Sequence, residues 1–249
     1  LSCSISFVNV SITAIAAAAH IVILVFSKDL GSALIFTVTF ILIVFVATRN
    51  YWYLLAGLAA SSCASVIAFR LFTHVRIRIL AWTNPWTYID NQGYQITQSL
   101  FAIGSGSWFG MGLYQGVPDD IPYVEEDFIF SSICEEFGTI FGMCLLLVIL
   151  SCFLMMIKTA LKNRSGFYRL AAFGFAIIYI FQIFLTVGGG IRFVPITGVT
   201  LPFVSYGGSS MVSAMLMSFI IQGIYMVAVK EGEKVCAGKE NIENKAEKL

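Results

Sequence analysis

The sequence predicts an all-α protein, a polytopic membrane helix bundle with about seven transmembrane helices. Hydrophobic residues make up 58% of its 249 residues, and Phe alone contributes 22 of them. The mean hydropathy is +0.86, which is too apolar for a single soluble core. Several runs reach the roughly 18 to 20 apolar residues that a bilayer-spanning helix requires. The composition therefore favours an integral membrane protein.

Six long apolar segments account for most of the chain. Each is long enough and poor enough in charge to be predicted to cross a membrane. Their approximate bounds are Ile5 to Phe26, Gly31 to Thr48, Tyr51 to Phe72, Phe128 to Ile157, Phe167 to Val187 and Phe203 to Val229.

A weaker seventh segment runs from about Ile96 to Leu113. It is rich in Gly and Ser and carries Gln98, so it suits a position among other helices or beside a cavity. If it crosses, 13 of the 15 Lys and Arg lie on the side of the C-terminus, and only Arg49 and Arg192 lie on the other. Because cytoplasmic loops are enriched in Lys and Arg, the C-terminal side is predicted to be cytoplasmic.

The chain is predicted to form one membrane domain, residues 1–229, followed by a polar cytoplasmic tail, residues 230–249. The mixed charge of the tail predicts disorder or a loose helix. The domain is expected to contain an outer loop at about 114–126 and a re-entrant-like loop at about 188–204. GSGSWFGMG, residues 104–112, lacks the lysine of a nucleotide-binding loop, and no nucleic-acid partner is expected.

Seven carboxylates and no Lys or Arg occur in DDIPYVEEDFIFSSICEEFG, residues 119–138. On a continuous helix, Asp127, Ser131 and Glu135 fall on one face, with Glu136 about 100° further round, and Asp127 is placed to cap that helix. This stripe suits a divalent-cation site, a general base, or a proton or cation relay. For the four acids that precede Asp127, solvation of an outer loop is the simpler explanation.

A second informative stretch is GGGIRFVPITGVTLPFVSYGGSS, residues 188–210. Its glycines and prolines predict non-helical backbone beside the membrane, which is tolerated where it is buried or lines a polar cavity. Arg192 is placed either to bind a phosphate or to pair with a loop acid. Helix packing and a re-entrant turn explain the same stretch without a ligand. The candidate cavity residues, with Gln98, are Ser205, Tyr206, Ser209 and Ser210.

Together with KDLGSAL at residues 28–34, these stretches resemble the SEDS family (shape, elongation, division and sporulation), whose members include RodA, FtsW and SpoVE. The resemblance covers nearly the whole chain in order and is most specific in TGVTLPFVSYGGSS and DFIFSSICEEFG. It implies a peptidoglycan glycosyltransferase that polymerises lipid II, a disaccharide-pentapeptide on undecaprenyl pyrophosphate, at the outer face of the bacterial cytoplasmic membrane. It also implies a partner that cross-links the strands, a class B penicillin-binding protein.

The resemblance places the family's catalytic Asp at Asp127 and implies dependence on a divalent cation, Mg²⁺ or Mn²⁺. As a general base, Asp127 is expected to deprotonate the acceptor's hydroxyl while the pyrophosphate-lipid departs. Glu135 and Glu136 are expected to tune Asp127 or to help bind the cation, with Asp127 and Glu135 as candidate metal ligands.

The chain departs from the family pattern in three places. Glu125 and Glu126 replace the His-Thr of many members, which is expected to raise the pKa of Asp127 or to strengthen cation binding. Lys28 stands where the family usually has Pro. Family members usually have more spans, so the sequence is expected to be a fragment or a degenerate member.

Two other functions fit the same membrane position. A flippase for lipid-linked precursors would use the cavity without a catalytic base, and a scaffold would recruit the transpeptidase without chemistry. Roles in elongation, division and sporulation are equally compatible with the sequence.

Overall fold

The computed structural model describes residues 7–91 and 93–246, and its regular structure there is helical, which confirms the all-α class. Short 3₁₀ turns occur at Pro85–Tyr88 and Pro118–Asp120. The α-helices of these ranges are α1 (Phe7–Phe26), α2 (Leu30–Thr48), α3 (Tyr51–Leu71), α4 (Thr73–Thr83), α5 (Tyr94–Gly106), α6 (Ile129–Phe137), α7 (Thr139–Lys162), α8 (Gly166–Gly190) and α9 (Gly208–Ala246).

Five of these helices are long and apolar enough to cross a membrane: α2, α3, α7, α8 and the Gly208–Gly232 part of α9. The apolar part of α1, Val10–Phe26, is shorter. These six elements correspond to the six long segments predicted from the sequence, although the first was predicted to begin at Ile5, which lies outside the described residues. The chain is a multi-pass membrane protein.

Helix α8 lies at the centre of the bundle. It packs against α2 and α7 and also contacts α5, α6 and α9. The largest core cluster connects the four helices α6, α7, α8 and α9, with Phe130, Ile149, Tyr179 and Ile221 among its members. By contrast, α3 has no buried residue, as expected for a helix at the rim whose apolar side chains face lipid.

The predicted segment from Phe128 to Ile157 forms two helices because Gly138 interrupts it. Gly138 has a φ of 88°, a left-handed conformation that glycine adopts without strain. A Cβ at Gly138 would lie 2.4 Å from the carbonyl oxygen of Trp108. The break between α6 and α7 therefore lets the chain after α5 pack directly against the junction.

The weak seventh segment is present as α5, but it is too short to cross alone. Its 13 residues span about 20 Å at 1.5 Å per residue, whereas the hydrocarbon core is about 30 Å thick. After α5 the chain turns back along α6, where the Met111 N–H donates to the Glu135 carbonyl at 2.9 Å. Helices α5 and α6 therefore pack together at one end of the bundle.

This geometry corrects the predicted side of five cations. Arg78 Nη1 donates to the Thr197 carbonyl at 3.2 Å, and Gly31 lies directly against Val199. The KDLG turn, α4 and the loop 191–207 therefore share one end of the bundle. The prediction was wrong because it counted the weak segment as a crossing. It placed Lys28, Arg70, Arg76 and Arg78 at the end opposite this loop, and it placed Arg49, which follows α2 at the far end, on the side of the loop.

Two further segments are more helical than predicted. Gly188, Gly189 and Gly190 form the buried last turn of α8, and the irregular loop begins only at Ile191. The polar tail, where the structure describes it, continues α9 to Ala246. Of the two predicted alternatives for this tail, the structure has the helix.

Candidate active site

Asp127 lies in the turn that leads into α6. Its N–H donates to the Tyr123 carbonyl at 3.2 Å. The N-cap residue of α6 is Phe128, and no side chain caps this helix. The predicted capping role of Asp127 is therefore wrong. Its half-buried side chain instead borders a cleft.

We call this depression the Asp127 cleft. It lies between the turn into α6, the end of α8 and the loop that follows α8. Asp127 Oδ2 lies 3.7 Å from the position that a Cβ on Gly198 would occupy, so the carboxylate packs beside this backbone. The lining residues include Phe128, Thr186, Gly190, Thr197, Gly198 and Val199.

The surroundings of Asp127 raise its pKa from 3.8 to about 6. Burial is the largest cause, because it disfavours the charged carboxylate. The negative charge of Glu126 raises the pKa further, as predicted from the sequence, and the positive charge of Arg78 lowers it. A carboxylate with a pKa close to the working pH is well suited to accept a proton.

The wall of the cleft opposite Asp127 is formed by residues 197–200, which are bonded to two helices. The Thr186 hydroxyl of α8 donates to the Val199 carbonyl at 2.7 Å, and Gln182 Nε2 donates to the Thr200 carbonyl at 3.0 Å. Arg78 of α4 binds the Thr197 carbonyl from another direction. These bonds fix an irregular segment that has no regular secondary structure of its own.

The KDLG motif packs against the same wall. The Asp29 carboxylate accepts a hydrogen bond from the Ser32 N–H at 3.0 Å and so caps α2. A Cβ on Gly31 would lie 2.3 Å from Val199 Cγ2 and 3.0 Å from the Thr197 carbonyl oxygen. Only glycine lets α2 approach the wall this closely.

Ser205 and Tyr206 hold the chain immediately before Asp127. The Ser205 hydroxyl donates to the Glu126 carbonyl and accepts from the Leu201 N–H at 2.8 Å. The Tyr206 N–H donates to the Glu125 carbonyl at 2.8 Å, while the Tyr206 ring is exposed. These two predicted cavity residues position the turn of Asp127 through backbone contacts.

Glu135 and Glu136 are bonded to the loop after α5. Glu136 Oε1 accepts from the Tyr114 N–H at 3.2 Å, and Glu135 Oε1 accepts from the Val117 N–H at 3.3 Å. Glu135 is buried, and its Oε2 atom has no hydrogen-bond partner. These contacts give both glutamates a role in fixing the loop.

The Arg192 side chain hydrogen-bonds to the backbone at the end of α4 rather than to a loop acid. Its Nε donates to the Trp82 carbonyl at 3.0 Å and its Nη2 to the Thr83 carbonyl at 2.8 Å. The Trp82 indole N–H donates back to the Arg192 carbonyl at 3.1 Å. Arg192 therefore ties the end of α4 to the loop after α8.

The remaining predicted cavity residues lie outside the lining of the Asp127 cleft. Gln98 is half-buried on α5, and Ser209 is exposed in the first turn of α9. The Ser210 hydroxyl donates to the Gly207 carbonyl at 3.0 Å and is a local contact.

Sequence reasoning missed the residues that build the wall, chiefly Arg78, Gln182, Thr186 and Thr197. It also missed a buried pair in which the Ser99 and Ser131 hydroxyls lie 2.6 Å apart. Ser99 also donates to the Gly190 carbonyl at 2.8 Å, which joins α5, α6 and α8. A polar side chain inside an otherwise apolar helix was the available signal for Gln182 and Thr186.

The described residues do not assemble a ready ligand set for a metal ion. No group of three or more His, Cys, Asp or Glu lies close enough together in residues 7–91 and 93–246. Asp127 faces the wall of the cleft, whereas Glu135 is bonded to the loop at Val117. Because Mg²⁺ is usually bound by one or two carboxylates together with waters and substrate phosphates, Asp127 or Glu135 would hold it only with such additional ligands, and no step of the reaction is assigned to a cation.

Comparison with known families gives a match along most of the chain. The model of the FtsW, RodA and SpoVE family, described as a cell cycle protein family, matches residues 3–230. The chain is 36% identical over 202 residues to the peptidoglycan glycosyltransferase RodA of Mycobacterium bovis, covering 81% of this chain and 43% of that protein. It is 36% identical to a probable peptidoglycan glycosyltransferase FtsW of Aliivibrio salmonicida, covering 76% of this chain and 48% of that protein.

A solved structure shares the fold. It comes from a study of how a peptidoglycan synthase complex coordinates polymerization and crosslinking, and it superposes with a TM-score of 0.74 at 25% identity. The match covers 88% of this chain and 62% of the solved one. The chain spans less than half the length of the curated relatives named above.

Proposed function

Because the chain belongs to the FtsW, RodA and SpoVE family of cell cycle proteins, we propose that it acts as a peptidoglycan glycosyltransferase. The proposed substrate is lipid II, which is polymerised into glycan strands. The observation that carries this proposal is the half-buried Asp127, which has a pKa of about 6 and borders a cleft at one end of the helix bundle. The names of the relatives support the reaction class.

In the proposed reaction, Asp127 is the general base. Its ionised carboxylate accepts the proton of the acceptor sugar's hydroxyl, and the oxygen then forms a bond to the anomeric carbon of the donor. The bond from that carbon to the lipid pyrophosphate breaks, and the electron pair leaves with the pyrophosphate. The wall of residues 197–200 holds the reacting groups against Asp127.

The membrane position supports an outer-face reaction. In the described part of the chain, most Lys and Arg lie at the end of the bundle opposite the cleft. Since cytoplasmic segments are enriched in these residues, we place the C-terminus in the cytoplasm and the cleft at the outer face of the bacterial cytoplasmic membrane. The residues at the opposite end are Arg49, Lys158, Lys162, Arg164, Arg169, Lys230, Lys234, Lys239 and Lys245.

The proposed partner is a class B penicillin-binding protein that cross-links the product strands. The structural relative comes from a peptidoglycan synthase complex in which polymerization and crosslinking are coordinated. A divalent cation, Mg²⁺ or Mn²⁺, is the proposed cofactor. Its site, including the predicted pair Asp127 and Glu135, stays a prediction.

The test is polymerisation of purified lipid II by the full-length protein together with its transpeptidase. We expect glycan strands with Mg²⁺ or Mn²⁺ and none after chelation by EDTA. If no strands form under any condition while a thermal unfolding transition shows that the protein is folded, the proposed function is contradicted. Strands that form equally in EDTA contradict the cation alone.

A further inference from the structure

Arg78 is a cation that has no role in the reaction proposed for Asp127. It lies half-buried on α4, and its Nη1 donates to the Thr197 carbonyl at 3.2 Å. This is the one hydrogen bond of its side chain in the described part of the chain. Because a guanidinium carries five N–H donors in a planar fork, most of them remain available to an anion.

Thr197, whose carbonyl binds Arg78, carries a second polar group without a partner. Its Oγ1 is buried and has no hydrogen-bond partner among the described residues, although Thr197 lines the Asp127 cleft. Buried hydroxyl groups in folded proteins nearly always have a partner. This hydroxyl belongs to a residue that lines the cleft and whose carbonyl binds Arg78, so the same wall carries two polar groups that a ligand can complete.

Accepting the proposed function, we propose that Arg78 and Thr197 form the subsite for the pyrophosphate of the lipid-linked donor. Arg and hydroxyl donors recognise phosphate oxygens through charge-assisted hydrogen bonds. Asp127 borders the cleft, and Arg78 bonds to its wall at Thr197. The acceptor hydroxyl and the leaving group would then lie on opposite sides of the reacting carbon.

Asp127 and Arg78 lie near each other without direct contact. Asp127 and Arg78 do not form an ion pair within 4.0 Å, yet the Arg78 charge acts on Asp127. A hydrogen bond of about 3 Å from base to acceptor oxygen, plus about 3 Å from that oxygen to the reacting carbon, puts the leaving group roughly 6 Å beyond the carboxylate. A guanidinium in direct contact with Asp127 would leave no room for the sugars.

Arg78 then stabilises charge that develops as the reaction proceeds. The proton passes from the acceptor hydroxyl to Asp127, the new C–O bond forms, and the old C–O bond breaks. The electron pair of the broken bond stays on the pyrophosphate, which gains negative charge. A fixed guanidinium at that position favours the transition state over the bound substrate.

The experiment measures binding of farnesyl pyrophosphate, which carries the anion without a sugar, to the detergent-purified full-length protein. Farnesol serves as the probe without an anion. The variants are Arg78→Gln and Thr197→Val. The matched control is Arg76→Gln, since Arg76 is an exposed neighbour on α4 whose side chain hydrogen-bonds to the Arg70 carbonyl and lies over the Phe69 ring.

We expect Arg78→Gln to weaken farnesyl pyrophosphate binding by about tenfold or more and Thr197→Val by about threefold, because charge-assisted bonds are the stronger ones. Farnesol binding should be unchanged, which shows that the variants are folded. Equal losses for Arg76→Gln and Arg78→Gln, or no binding of farnesyl pyrophosphate by the parent, would overturn the subsite. If the parent binds the anion through Arg78 but makes no strands, the subsite stands and the proposed function fails.

Discussion

The hydroxyl of Ser205 donates a hydrogen bond to the backbone carbonyl of Glu126, the residue that precedes Asp127. Ser205 belongs to the loop after α8, and Asp127 to the turn before α6. The bond therefore links two segments that are far apart in the sequence and aligns Asp127 against the wall of the cleft. The hydroxyl also accepts from the Leu201 N–H, so one buried side chain joins the turn before α6 to the loop after α8.

Replacing Ser205 with Ala should destabilise the protein. The change leaves the Glu126 carbonyl and the Leu201 N–H without the Ser205 hydroxyl, and an unsatisfied buried polar group costs about 1–3 kcal/mol. Thermal unfolding of the full-length protein in detergent measures the effect. Ser209→Ala, at an exposed position in the same motif, is the control and should unfold with the parent. Unfolding of both variants at the parent temperature would show that the Ser205 bonds are not needed.

Replacing Gly31 with Ala should displace the wall of the cleft. The new Cβ would meet Val199 Cγ2 at 2.3 Å and the Thr197 carbonyl at 3.0 Å, and overpacking of this kind costs about 1–3 kcal/mol. We expect lower stability and lower polymerisation activity. Gly104→Ala is the matched control, since a Cβ at that helical position meets nothing within 4 Å. Full activity in Gly31→Ala would mean that α2 does not set the position of the wall.

The rate of polymerisation should depend on the ionisation of Asp127. Its pKa of about 6 means that the base is largely protonated at pH 5 and ionised at pH 7, so the rate should rise with pH through about 6. Glu126→Gln removes a negative charge that raises this pKa, so the rising limb should move to lower pH. Glu125→Gln serves as the control. A pH profile that is the same for Glu126→Gln and the parent would contradict this assignment.

The long apolar helices could be predicted because hydrophobic length alone determines a membrane span. Segments such as Tyr51 to Phe72 could be predicted as membrane spans without knowing which helices they pack against. The break at Gly138 could not be predicted in the same way. It depends on the approach of the Trp108 carbonyl, a contact between residues 30 apart that hydropathy does not encode.

The predicted orientation of the loops was wrong for a related reason. The segment around Gln98 has the composition of a buried helix, but its length inside the fold is set by packing against α6. Because α5 is a short helix, Arg78 and Lys28 lie at the end of the bundle that holds the cleft.

The candidate site could be predicted at Asp127, where a carboxylate adjoins an apolar run. Its neighbours could not, because they reach the cleft from distant helices. Arg78 approaches from α4, and Thr197 belongs to a loop whose shape depends on Gln182, Thr186 and Gly31. Ser205 and Tyr206 were identified as part of the site, but their contacts are with the backbone before Asp127 rather than with the cleft itself.

The central claim is that Asp127 is the catalytic base of a lipid II polymerase. The most direct measurement compares strand formation by the full-length protein, with its transpeptidase, in the parent, Asp127→Asn and Asp119→Asn. Asp119 is an exposed acid of the same loop. We expect Asp127→Asn to lower the rate by about 100-fold or more, the range for loss of a general base, while it binds the transpeptidase as the parent does and Asp119→Asn keeps the parent rate. Equal strand formation by the parent and a folded Asp127→Asn variant would contradict the claim, and so would lipid transport between leaflets with no strands from the parent.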